Sequence, residues 1–214
     1  MEDARAYMEG TGPAAEGLFR LLNEYGWHKL RAIVGLIKVK TRDELEIQKE
    51  SISSKDIARE IAAGSVLQIA YVAIARYAKP LEKPKNALFF ESEQNRLIRE
   101  YPELRPRTKK LELPLQFCVG RDIGHLPLGM IVYAGRNQYN HFYEDKRLSV
   151  VNELVFNHLH AMNPNPKNGL SFDLKPGRLF SYSILAALGW VDTSRGLGIE
   201  AYKRDMAEIL GVDL

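Results

Sequence analysis

Residues 53–77 decide the fold class, and they read SSKDIAREIAAGSVLQIAYVAIARY. Apolar residues recur nearly all around the helix that this stretch predicts, so the helix should be buried on most sides. Pro80 marks its end. The apolar run within it is interrupted by polar residues such as Gln68 and is too short to span a bilayer. We therefore expect the central core helix of a soluble protein.

Helical patterns precede this stretch. Pro13 fits the first turn of a helix, and Gly26 is expected to interrupt that helix. Residues 41–50 are polar and predict a surface turn or a short helix. Ser53 or Ser54 then has the side chain to cap the core helix.

Helical patterns also follow it, near residues 86–102, 127–142, 146–161, 178–188 and 198–210. Residues 103–126 are less regular and predict an arm or insertion, with a small β-hairpin as one form of it. We predict one all-α domain over residues 1–214, a helical bundle with a C-terminal helical extension over residues 162–214.

The composition limits the classes of function. The net charge of +3 and the sequence pI of about 8.9 permit an anionic partner such as RNA without demanding one. Cys118 is the single cysteine, which excludes an intramolecular disulfide and a cysteine-rich metal site. The acidic N-terminus does not resemble a secretory signal, so we expect a cytoplasmic protein without a membrane anchor. His158 and His160 should point apart on a helix, and we expect neither a metal nor a cofactor.

The best candidate for a reaction centre is the stretch AGRNQYNHFY, residues 134–143. On a helix, Asn137 and His141 share one face, while Arg136 lies in line with both Asn140 and Tyr143. A histidine holds or releases a proton near neutral pH, and an arginine offers planar donors that match phosphate oxygens. This combination suits phosphodiester cleavage.

Metal-independent RNA cleavage needs one base and one acid. One copy of the motif offers a single histidine, His141, so a two-fold dimer that joins two copies would supply both groups. Asn137 would orient the imidazole or bind phosphate. Tyr143 would hold the scissile group or stack on a base. The plainer interpretation is a solvated polar helix face that holds a loop in place.

A basic cluster lies upstream of the motif and consists of Arg105, Arg107, Lys109 and Lys110. Such a cluster is most often a solvated loop, but it also has the charge to clamp an RNA backbone. His125 belongs to a loop close to the motif in sequence, where a structural role is favoured.

The string Arg136-Asn137-x-x-x-His141-x-Tyr143 resembles the Arg-x4-6-His motif of the HEPN superfamily. The trailing tyrosine is similar to that of its toxin branch, which is paired with nucleotidyltransferase antitoxins. The resemblance implies an all-α bundle and a homodimer with the motif at its interface. It also implies metal-independent endoribonuclease activity in toxin–antitoxin or defence systems. Arg136 and His141 would be catalytic, Asn137 would support them, and Tyr143 would correspond to the tyrosine that the antitoxin modifies with AMP.

Two other classes of function stay open. One is a non-catalytic HEPN-like module that binds nucleotide, RNA or a partner protein. The other is a helical interaction protein in which the motif has arisen by coincidence.

Overall fold

The structure is a computed structural model that describes residues 3–79, 92–93, 95–96, 99–100, 115–143, 149–163, 172, 178–191 and 198–213. Helices account for most of these residues, and the only sheet among them has two short strands. The expected all-α fold with a small β-hairpin is therefore confirmed.

The structure defines the bounds of six α-helices: α1 Ala4–Leu36, α2 Arg42–Tyr77, α3 Leu128–His141, α4 Val150–Met162, α5 Ser181–Ala187 and α6 Gly198–Leu210. A 3₁₀ turn at Leu115–Phe117 precedes the strands β1, Asp122–Ile123, and β2, Leu126–Pro127.

Helices α1 and α2 form a long antiparallel hairpin and are both longer than the sequence predicts. Helix α1 is continuous through Pro13 and Gly26, so the expectation of a break at Gly26 is wrong. Helix α2 starts at a capping box, in which Thr41 accepts the backbone N–H of Glu44 and Glu44 accepts that of Thr41. Ser53 and Ser54 consequently lie inside α2 and do not cap it.

Helix α3 lies in the centre of the fold, as its apolar sequence requires. Its residues from Leu128 to Gly135 are buried, apart from the half-buried Tyr133. Two glycines allow it to approach its neighbours closely. A Cβ on Gly64 of α2 would overlap the ring of Tyr139, and a Cβ on Gly135 would press on Ile184 of α5 at 2.9 Å.

The β-hairpin lies directly before α3. Gly124 and His125 connect its strands with φ angles of +55° and +74°. Positive φ at both loop positions is the signature of a type I′ turn, whose twist matches that of the strands. The hairpin falls at the end of the arm predicted for residues 103–126, while residues 101–114 are outside the described chain.

The C-terminal segment contributes to the same core as the other helices. Trp190 and Tyr202 are fully buried, and the Trp190 indole donates to Asp205 at 2.9 Å. Arg121, in the loop before β1, pairs with the same carboxylate at 3.0 Å. These contacts fasten α6 to the start of the β-hairpin.

Helix α2 is also long and apolar enough, by length and composition alone, to cross a membrane. Its apolar half, however, carries the buried residues that pack against α1, α3 and α5, such as Leu67 and Ile74. The core helix of a soluble protein has the same composition.

Candidate functional site

The predicted motif occupies the carboxyl end of α3, where the helix emerges from the core. Arg136, Asn137 and Asn140 are half-buried there, whereas His141 is the last helical residue and is exposed. The change from an apolar to a polar sequence at residue 136 thus coincides with the change from core to surface.

Helix α2 holds the Arg136 side chain in place. The guanidinium carbon lies 4.6 Å from the centre of the Tyr71 ring, which is a cation–π contact. Arg136 Nε donates to Gln68 Oε1 at 3.1 Å, and Nη1 donates to Asn137 Oδ1 at 3.3 Å. Tyr71 itself stacks on the buried Phe117, with ring centres 4.8 Å apart. The guanidinium therefore rests on a rigid aromatic support.

Asn140 completes this arrangement. Its amide is hydrogen-bonded when the oxygen faces Arg136, where it accepts from Nε at 3.0 Å and from Nη2 at 3.1 Å. The orientation of an amide group is assigned from such a network. Arg136, Asn137 and Asn140 of the predicted site are thus brought together, along with Gln68 and Tyr71.

The electrostatics of this cluster favour an anion. Among the described residues, every oxygen that accepts from Arg136 belongs to a neutral amide. Within the described part of the chain, no carboxylate lies within ion-pairing distance of Arg136. A half-buried guanidinium that is fixed by neutral groups keeps a full charge for a phosphate or carboxylate oxygen.

His141 does not join the Arg136 cluster within one protomer. Five residues separate them, which is about 140° around the helix and about 7.5 Å along it. In the described chain Arg136 makes no hydrogen bond to His141. Tyr143 lies beyond the helix end, 71% exposed, with its ring against the edge of Phe142. Both His141 and Tyr143 therefore lie at the surface.

The remaining predicted binding residues are Arg105, Arg107, Lys109 and Lys110, and they lie outside the described residues.

Other histidines have structural positions. His125 occupies the turn of the β-hairpin, so it lies in a loop as expected. The His158 ring contacts the carbonyl oxygen of Gly124 and so fastens α4 to that turn. In the described ranges, no three residues of the His, Cys, Asp and Glu types are grouped as metal ligands.

Sequence reasoning did not identify Gln68 and Tyr71 as members of the site. Gln68 did give a signal, because it is a polar residue within the most apolar run of the chain. Tyr71 gave none, since an aromatic residue in a core helix is ordinarily a packing residue.

No protein family model, curated protein or solved structure matches the chain.

Proposed function

We propose that the protein is a metal-independent endoribonuclease of HEPN type that acts as a homodimer with a composite Arg/His site. The observation that supports this most directly is the Arg136 guanidinium, which is stacked on Tyr71 and held by neutral amides, with no described carboxylate to neutralise it. This fixed guanidinium can bind a phosphate, and it lies at the same end of α3 as His141.

The chemistry follows from the residue types. In one copy, a neutral His141 removes the proton of the ribose 2′-hydroxyl, whose oxygen then attacks the adjacent phosphorus. In the other copy, a protonated His141 gives its proton to the departing 5′-oxygen. The O2′–P bond forms as the P–O5′ bond breaks, which leaves a 2′,3′-cyclic phosphate and a 5′-hydroxyl. Arg136 stabilises the extra negative charge of the phosphorane between these states.

The fold limits how two motifs can meet. Most of α3 is buried within its own chain, so a homodimer through this helix and its neighbours would have to use the last turn of α3. His141 and Tyr143 are exposed at this end of the helix, and in the proposed homodimer they face the second copy. The homodimer through this end of α3 is part of the proposal.

One observation favours a second candidate, a non-catalytic module that binds RNA or nucleotide. Arg136 and His141 are not bonded to each other within a protomer, so the Arg136 cluster would bind an anion whether or not His141 is used. Binding of RNA without cleavage distinguishes this candidate from the nuclease.

The nuclease is tested by RNA cleavage in excess EDTA. Arg136→Ala and His141→Ala should each lower the cleavage rate by on the order of a hundred- to ten-thousand-fold. The double variant should lose little more, because both groups act on one transition state.

Arg31→Ala and His160→Ala are matched controls, since both side chains are exposed and distant in sequence from the motif. Circular dichroism checks that every variant is folded. Cleavage that is unchanged in both motif variants would place the activity elsewhere, and unfolding of His141→Ala would favour a structural role for the motif.

A further inference from the structure

The second half of α1 carries a row of large apolar side chains in solvent. This row, the distal strip, consists of Trp27, Leu30, Ile33, Val34 and Ile37. Trp27 is 65% exposed, Ile37 is 84% exposed, and the other three are between 43% and 50% exposed. Spacings of three and four residues place them on one side of the helix.

The distal strip lies on the same side of α1 that packs beside α6 in the first half of the helix. Steps of three and four residues lead back from Trp27 to Glu16, Pro13 and Glu9, which line a groove between α1 and α6. Lys203 of α6 pairs with Glu16 there at 2.7 Å. A helix thus lies beside the N-terminal half of this side of α1. Among residues 23–37, Ala32 alone is buried.

The exposed apolar area is large for a monomer. The exposed fractions of the distal strip add up to about three whole large side chains, or roughly 600 Å² if each has about 200 Å². A typical monomer leaves at most about 300–600 Å² in one apolar patch. With its polar border, the strip approaches the ~800 Å² per partner that a stable dimer buries.

We infer that the distal strip binds the distal strip of a second copy of this chain, with the two α1 helices antiparallel. Trp27, Leu30, Val34 and Ile37 are spaced by three, four and three residues. This order of spacings is the same in either direction along the helix. Antiparallel pairing places Trp27 on Ile37 and Leu30 on Val34, which satisfies the requirement of two-fold symmetry that each contact occur twice.

Charge supports the same pairing. Glu24 is exposed at one end of the strip, and Lys38 and Lys40 are exposed at the other. Antiparallel helices bring Glu24 of each copy to the lysines of the other, whereas parallel helices would place like charges side by side.

This surface is distinct from the one in the proposed function. The hydrogen bond of Tyr7 to Ile69 and the ion pair of Lys29 with Asp56 align α1 with α2, so that Gly64, where α3 packs, lies beside the first half of α1. The centre of the strip, near Ile33, is more than ten residues from that level, or at least about 15 Å. The inference therefore goes beyond the proposed nuclease and does not depend on it.

Sedimentation equilibrium at micromolar concentration tests the inference. The double substitution Leu30→Asp with Val34→Asp should halve the mass of the wild-type assembly and leave the helical circular dichroism unchanged. Ile47→Asp is the control, because Ile47 is 64% exposed on α2 and is not part of the strip. A monomeric wild type, or a mass that the double variant does not change, overturns the inference. If the wild type forms the expected assembly but does not cleave RNA, the proposed nuclease is contradicted and the inference about the distal strip is not.

Disulfide cross-linking tests the direction of the helices, and the buried Cys118 is the only native thiol. Ile33→Cys should give covalent dimers on mild oxidation, because the two residues lie next to the two-fold axis. Trp27→Cys should not, because antiparallel pairing separates its two copies by about 15 Å. Cross-linking of Trp27→Cys alone, or a monomer that binds anionic vesicles through the strip, would contradict the inference.

Discussion

Arg136 shows how a single residue joins the core to the candidate site. Its aliphatic stem leaves a buried helix, and its charged end is fixed by Tyr71 and Gln68 of the neighbouring helix. A flexible arginine would lose conformational entropy on binding a phosphate, and this one has already lost most of that freedom on folding.

Glu60 is a second residue whose position has a measurable consequence. Its side chain is partly buried where α2 meets α5, and this burial raises the pKa of Glu60 above its ordinary value. The backbone N–H of Tyr182, which donates at 3.0 Å, and the nearby Arg59 only partly offset this. Since the raised pKa favours the neutral acid in the folded state, Glu60 supports stability at low pH. That support is lost as the pH rises through the folded-state pKa.

Glu60→Gln keeps an oxygen acceptor for Tyr182 and removes the charge. We expect the melting temperature of this variant, relative to wild type, to rise as the pH rises from the ordinary pKa of a glutamate through the raised pKa of folded Glu60. Thermal unfolding followed by circular dichroism at several pH values measures the difference. A difference that is constant with pH, or that falls as the pH rises, would show that Glu60 does not carry a desolvated charge.

At the scale of the elements, the close contact of α2 with α3 depends on Gly64. Gly64→Ala forces a Cβ into the ring of Tyr139, and such overpacking costs about 1–3 kcal/mol of unfolding free energy. Gly17→Ala is the matched change, because no atom lies within 4 Å of its added Cβ and alanine favours a helix by about 1 kcal/mol over glycine.

Urea unfolding should therefore show Gly64→Ala less stable and Gly17→Ala more stable than wild type. If Gly64→Ala were as stable as Gly17→Ala, the two helices would not be in the close contact described.

The sequence predicted most elements, and its errors have physical causes. The pattern of apolar residues located α3, α4 and α6 closely, because α4 and α6 each have one buried side and the first half of α3 is buried nearly all around. Gly26 did not break α1, since packing against α2 compensates for the weak helical preference of one glycine. The start of α2 was missed because its first turns are polar, although Thr41 and Glu44 carried the capping signal.

The site was predicted in part for a similar reason. Neighbours on one helix can be derived from spacing, and this placed Arg136 beside Asn140. The contribution of Gln68 and Tyr71 depends on how α2 packs against α3, which the spacing within a single helix does not determine.

At the scale of the whole molecule, the proposals require two separate two-fold surfaces. One is at the end of α3, where His141 and Tyr143 are exposed, and the other is the distal strip of α1. Two such surfaces on one chain form a closed tetramer with D2 symmetry if their two-fold axes cross at right angles. Each tetramer would then contain two composite nuclease sites, and the distal strips would join one pair of sites to the other.

The most direct test of the central claim is the chemistry of the cleaved RNA. The protein is incubated in excess EDTA with an RNA oligonucleotide and with the same sequence carrying 2′-O-methyl groups throughout. Attack by the 2′-oxygen predicts that only the unmodified RNA is cut, with a 2′,3′-cyclic phosphate on one fragment and a 5′-hydroxyl on the other. An intact RNA, cleavage of the methylated strand, or fragments with 5′-phosphates would contradict the account.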